Sequence, residues 1–186
     1  FEFTDEDSDI LVDGGLLTVK PVIYAANLDE DGMMNLDTNA NFAALKKIAD
    51  EQGAAVLPVA AKFEEDIAGM EPDEAEMFMA DLGLTETGLD RLIKTSYDLL
   101  GYISFLTAGE DDVHAWTITR GTKAPKAAGK VHSDIERGFI RAEIVAFDDL
   151  KACGSMAAAK EKGLLRLEGK DYVMQDGDIT NFRFNI

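Results

Sequence analysis

The chain has 186 residues, 46% of them hydrophobic, and a formal net charge of −18. Its length allows one large domain or two small ones with a packed core. The acidity argues against nucleic-acid binding by bulk charge, and no apolar run approaches the roughly 20 residues needed to span a bilayer. The single cysteine, Cys153, excludes an internal disulfide and fits a reducing compartment, so a cytoplasmic protein is expected. The chain opens on Phe1 and an acidic stretch, with no signal peptide expected. Residues 1–102 carry 23 acidic and 6 basic side chains, whereas residues 103–186 carry 13 and 12, so two different modules are expected.

Residues 1–15 end in Asp13-Gly14-Gly15 and read as a junction. Leu16 to Ala26 reads as a strand entered through Lys20-Pro21. Asp37 to Gln52 reads as a helix with Phe42, Leu45, Ile48 and Ala49 on one face, ended by Gly53 as a left-handed cap. Ala54 to Val59 reads as a second strand, and the order strand, helix, strand predicts a parallel sheet with crossover helices. Pro72, with acidic residues around it, predicts a helix ending near Gly83. The next helix starts at Thr87-Gly88-Leu89-Asp90, close to a capping box with Asp in place of Glu or Gln. Its apolar face is Leu89, Leu92, Ile93, Tyr97 and Leu100, and Gly101 closes it.

The pattern then changes. Ile103 to Thr107 and Val113 to Thr119 read as paired strands around the turn Gly109-Glu110-Asp111-Asp112. Phe139 to Phe147 reads as a strand with Ile140, Ala142, Ile144 and Ala146 on one side. A helix over Ser155 to Lys162 and late strands over Leu164 to Leu167 and Ile179 to Ile186 complete a small α+β domain of β-grasp type. The boundary falls near Gly101.

Five segments together resemble a known family: Leu17-Thr18-Val19-Lys20-Pro21 leading into Asn27-Leu28-Asp29-Glu30-Asp31-Gly32; Ser96 to Gly101; Phe105 to Gly109 with Ala115-Trp116-Thr117; His132 to Glu143; and Leu167 to Tyr172 with Gln175-Asp176-Gly177-Asp178. From about Leu16 to its end the chain is similar to the carboxy-terminal half of an Obg-like ATPase of the YchF type. The resemblance implies an α/β fold, part of a P-loop GTPase-like domain, over residues 16–101, followed by a TGS domain over 102–186. Residues 1–15 are then a truncated remnant of a helical arm, or a join. It also implies a ribosome-associated protein that favours ATP, with GTP possible, and uses Mg²⁺ in the whole protein.

In GTPase-type folds the loop after such a strand reads the base with Asn-Lys-x-Asp. Here Leu28 replaces the lysine and Glu30 the aspartate. A carboxylate set against guanine meets the wrong donor and acceptor pattern on adenine, which discriminates strongly. Lengthening it to Glu30 moves that carboxylate, Leu28 offers apolar cover, and Asn27 braces the loop, so adenine is expected to be accepted. Taken without its flanks, this segment also reads as an acidic turn. Ala60-Ala61-Lys62 occupies the place of a second base-contacting loop, and reads equally as an ordinary strand-to-helix turn.

The run from Gly163 to Asp171 is not a phosphate loop: its glycines are one residue too far apart, and Asp171 stands where a hydroxyl belongs. No catalytic residue is therefore expected in this chain, no nucleotide is expected to be held tightly by it, and it should not turn over ATP by itself. Arg120, Lys123, Lys126, Lys130, His132, Arg137 and Arg141 form a basic segment suited to RNA or ribosome contact, or to a solvated face. Trp116 and Phe139 suit base stacking or, as is commoner in small β-domains, the core. Neither histidine has metal-ligand spacing, and no nucleophile–base constellation stands out. The leading expectation is a nucleotide-switch protein acting at the ribosome. The alternative is a module that binds a protein partner, with no RNA role.

Overall fold

The computed structural model describes residues 15–109 and 112–185. The expected junction at 1–15 lies almost wholly outside the described residues, as do Glu110 and Asp111 of the predicted turn. Two compact units divide the chain after Leu99.

The first unit is built on a parallel pair, β1 (Ile23–Asn27) and β2 (Ala55–Val59), in register from Ile23 opposite Ala55 to Asn27 opposite Val59. The predicted strand over Leu16 to Ala26 is shorter than expected. Leu17–Val19 forms a 3-10 turn, because Pro21 has no N–H to give a ladder and pairing with β2 starts only at Ile23. Between the strands lie α1 (Glu30–Met34), a 3-10 turn at Leu36–Thr38, and α2 (Ala40–Gln52). Asn39 caps α2 by accepting from the main-chain N–H groups of Asn41 and Phe42, and Gly53 ends it at φ 63°.

Three helices follow: α3 (Ala61–Ile67), α4 (Pro72–Asp81) and α5 (Gly88–Leu99). The sequence reading missed α1 and α3. Phe63 and Ile67, one turn apart, bury the inner face of α3 against Met33 and Ala60. At the start of α5, Asp90 N–H donates to Thr87 Oγ1 at 3.1 Å while Thr87 N–H donates to Asp90 Oδ2 at 3.4 Å, so aspartate completes the capping box. The predicted apolar face of α5 is not covered within this unit: Leu89 is 63% exposed and Ile93 49%.

The second unit is a five-stranded mixed sheet of order β4-β3-β7-β5-β6, from β3 (Tyr102–Ala108), β4 (Val113–Thr119), β5 (Phe139–Ala146), β6 (Arg166–Glu168) and β7 (Asp178–Phe184). Its first and last strands run parallel at the centre, and its other pairings are antiparallel. One face carries α6 (Ala124–Val131), whose Ala124, Ala127 and Ala128 have no exposed surface and let the helix approach Phe105, Ile144 and Phe182. No helix was expected from the sequence at α6. Gly121, at φ 90°, turns the chain from β4 into it.

Short helices α7 (Ser133–Arg137), α8 (Phe147–Cys153) and α9 (Met156–Glu161) complete the unit, and α8 too was unpredicted. On the other face Val145 and Ile179 pack against Ala159. A register irregularity between Phe139 and Arg141 turns Phe139 inward and leaves Ile140 53% exposed, reversing the predicted facing there. Trp116 packs on the core with its indole N–H donating to Thr107 Oγ1 at 2.9 Å, and Phe139 meets Phe182 edge-on at 6.1 Å.

Asp178, 2% exposed, ties the end of the fold together. It accepts from Tyr172 Oη and the Gln175 N–H, both at 2.9 Å, and from Arg166 at 3.3 Å. Among the described residues no helix is long and apolar enough to cross a membrane.

Candidate functional site

Open parallel sheets place ligand sites outside the carboxyl ends of their strands. At that end of β1 and β2 the structure assembles Asn27, Leu28, Glu30, Ala60, Ala61 and Lys62. The Leu28 N–H donates to the Val59 carbonyl at 2.8 Å, carrying the pairing one step past the strands. Asn27 Oδ1 then accepts from the Ala61 N–H at 3.1 Å, so one side chain joins the loop after β1 to the loop after β2 across 34 residues. The two expected base loops are thus mechanically one, and the amide nitrogen of Asn27 is its remaining donor.

The other members differ in what they offer. Leu28 is half-buried against the cluster of Met33, Ala60, Phe63 and Ile67, so only part of its side chain faces outward. Asp29 caps α1 by accepting from the Gly32 N–H at 2.8 Å. A Cβ on Gly32 would lie 2.9 Å from Asp29 Oδ1 and 3.2 Å from Leu28 Cβ, so a side chain there would press on the Asp29 cap and on Leu28. Glu30 opens α1 and is exposed. Lys62 is turned along α3: Asp66 at 2.6 Å and Glu65 at 3.4 Å hold its ammonium above the usual lysine range. Its main chain lies in the first turn of α3, and its charge is directed along that helix.

The basic segment of the second unit is divided. Lys123 pairs with Asp171 at 2.7 Å, Lys126 with Glu136 at 3.4 Å, and Arg137 with Asp134, whose carboxyl that guanidinium holds below the usual range. His132 is the cap of α7, its Nδ1 accepting from the Asp134 N–H at 3.2 Å. Arg120 follows β4, and its N–H donates to the Gly101 carbonyl at 2.7 Å. Arg141 lies on β5 opposite Arg183, on the side of the sheet away from α6, because Ala142 and Ile144 face α6.

Lys126 and Lys130 remain together, one turn apart on the outer side of α6. They line a groove of about 700 Å³ with Tyr102, Thr119, Thr122 and Glu136. Among the described residues Lys130 has no ion-pair partner. The sequence reading missed the tyrosine, the threonines and Glu136, because no local pattern links positions 102, 119 and 136. Among the described residues there is no cluster of three or more His, Cys, Asp or Glu able to hold a metal.

The architecture is an α/β unit built on two parallel strands, followed in the chain by an α+β unit with a mixed sheet. Comparison with known proteins places it more closely. The family model YchF-GTPase_C, described as "Protein of unknown function (DUF933)", matches residues 102–185. The "Ribosome-binding ATPase YchF" of Bacillus subtilis (strain 168) is 52% identical over 185 residues, covering 100% of this chain and 50% of that protein. The "Obg-like ATPase 1" of Oryza sativa subsp. japonica is 41% identical, covering 100% of this chain and 47% of that protein. The solved structure of the Schizosaccharomyces pombe YchF GTPase matches with a TM-score of 0.79 at 34% identity, over 98% of this chain and 48% of that one. Residues 102–185 thus carry a YchF-GTPase_C domain, the whole chain is similar to YchF proteins, and it spans about half the length of the curated relatives it matches.

Proposed function

We propose that this chain is the base-reading and ribosome-contacting portion of a cytoplasmic, ribosome-associated ATPase. Residues 16–101 are the carboxy-terminal part of a GTPase-like domain, and residues 102–186 are a TGS domain of β-grasp type. The observation that carries the reading is the bond from Ala61 N–H to Asn27 Oδ1 at the carboxyl end of β1 and β2, which makes one platform of the two loops. The central parallel pairing of β3 with β7 in the mixed sheet supports the β-grasp assignment. The names of the relatives support ribosome binding and ATP hydrolysis.

ATP's base fits this platform. Leu28 gives partial apolar cover, Asn27 keeps its amide donor, and Glu30 is displaced onto a helix rather than fixed as a guanine-reading aspartate. Bound ATP with Mg²⁺ would supply the hydrolysable triphosphate. The residues here choose and orient the base, and phosphate chemistry belongs to groups outside this chain. Changing Glu30→Asp in the full-length protein is expected to shift the ATP-to-GTP affinity ratio toward GTP by several-fold. An unchanged ratio rejects the adenine reading.

A second reading has its own support. Because Lys123, Lys126 and Arg137 are each engaged by a carboxylate, the second unit also suits a protein partner. Binding through four to six RNA phosphates weakens steeply between low and moderate salt, on the order of a hundredfold or more. Ribosome association that is indifferent to salt, and to charge reversal at Lys123, Lys126 and Lys130, selects the protein partner.

A further inference from the structure

The groove beside α6 has a composition that a purely electrostatic RNA contact does not require. Lys126 and Lys130 stand four residues apart on one helix face, close enough for two ammonium groups to bracket a single phosphate. Thr119 and Thr122 bring hydroxyls, and Tyr102 brings an aromatic ring. The one carboxylate, Glu136, is seated by a particular device: a Cβ on Gly129 would lie 2.0 Å from Glu136 Oε2. Glycine at that point of α6 is what lets Glu136 sit against the helix and reach Lys126 at 3.4 Å. Lys130, which has no ion-pair partner among the described residues, is left as uncompensated positive charge in a protein of net charge −18.

We propose that this groove is a binding site for a ribose phosphate. The phosphate sits between Lys130 and Lys126 and takes hydrogen bonds from the threonine hydroxyls. Glu136 accepts from the vicinal hydroxyls of the sugar, which explains a carboxylate in a site otherwise suited to an anion. Tyr102 offers a face to the base. The volume of about 700 Å³ lies within the ordinary range for small-molecule sites, roughly 300–1,000 Å³. The same chemistry is presented by a free mononucleotide and by one nucleotide of a single-stranded RNA. The site is distinct from the base platform of the first unit. It rests on the reading of the second unit as an RNA- or ribosome-contacting domain only through its two lysines.

The test is residue-resolved NMR on this 186-residue chain, titrated separately with AMP, adenosine and a tetranucleotide RNA. AMP or the RNA is expected to shift the amides of Thr119, Gly129 and Lys130, and adenosine is not. Lys130→Ala should weaken that binding about tenfold, the scale of one charged hydrogen bond, whereas Lys151→Ala, on α8, should leave it unchanged. Response to AMP identifies a free nucleotide as the source; response to the RNA alone identifies a strand. Silence of the groove amides to both, equal response to adenosine, or binding unaltered in Lys130→Ala overturns the proposal. Co-sedimentation of Lys130→Ala with ribosomes separates the two readings: nucleotide binding lost with ribosome association intact retains the site and rejects its part in ribosome contact.

Discussion

In the second unit Phe105, Ile144 and Met174 are enclosed almost completely, whereas in the first unit Leu89, Leu92 and Ile93 stand along α5 at 40% exposure or more. The contrast follows from sheet size. Five strands give two faces, each covered by helices, with a core on both sides. Two parallel strands, a geometry normally buried on both faces, enclose little by themselves. The difference extends to function. The platform of the first unit is mostly main chain at two strand ends, tied by one asparagine. The groove of the second is made of side chains from the edge strand β4, its neighbour β3, and two helices. The first has a local layout and depends on its loops; the second depends on a finished core.

The largest expected effect would test whether the second unit stands as its own cooperative body. Asp178→Ala removes the acceptor for Tyr172, Gln175 and Arg166 in a site only 2% exposed. It should cost about 3 kcal/mol, with unpaired buried donors left behind. Amide exchange should quicken across β5 and β7 and stay unchanged in β1 and β2; equal quickening in both units breaks the comparison.

Gly138→Ala is next. The new Cβ would fall 2.3 Å from the Asn185 carbonyl oxygen, main chain that cannot swing aside. A loss of about 1–3 kcal/mol is expected in chemical unfolding, again confined to the second unit. A neutral result would mean that the close pairing of Gly138 with Asn185 is not needed.

Asn27→Ala should cost the first unit about 1 kcal/mol or less, seen as faster exchange at the Ala61 amide. In the full-length protein it should weaken ATP binding beyond that stability change. Normal ATP affinity would sever the platform from function.

The smallest effect is one of pH. Arg183, donating to Glu143 at 3.0 Å, holds that carboxyl below the usual range. Since it titrates lower in the folded than in the unfolded chain, where about 4.3 is ordinary, its stabilisation is present above that pH. It is lost as pH falls through the folded value. Glu143→Gln should flatten the decline in melting temperature between about pH 5 and pH 3; an unchanged slope removes this pair from the account.

Much of this was legible in short spans of sequence. The ends of α2 and α5 follow from Gly53 and from Thr87 with Asp90, since caps are local hydrogen bonds. The position of Asn27 follows from the strand before it. Two missed helices left signals that could have been read: Ala124, Ala127, Ala128 and Val131 in α6, and Phe63 with Ile67 in α3, at helical spacing. The facing of Ile140 was not legible, because a strand's period of two holds only until a register shift interrupts it.

The sequence by itself determined the end of α2, the start of α5, the strand–helix–strand order and the Asn27 to Glu30 loop, because these rest on contacts within a few residues. Only the tertiary structure decided which cations share a site. Pairing with Asp171 and Asp134 takes up Lys123 and Arg137, and the alternation of β5 puts Arg141 on the far side of the sheet. Lys126 and Lys130 are left at a groove with Tyr102, Thr119 and Glu136. Charge in a sequence is a sum, but recognition depends on which charges a fold brings to one place and which it pairs with carboxylates.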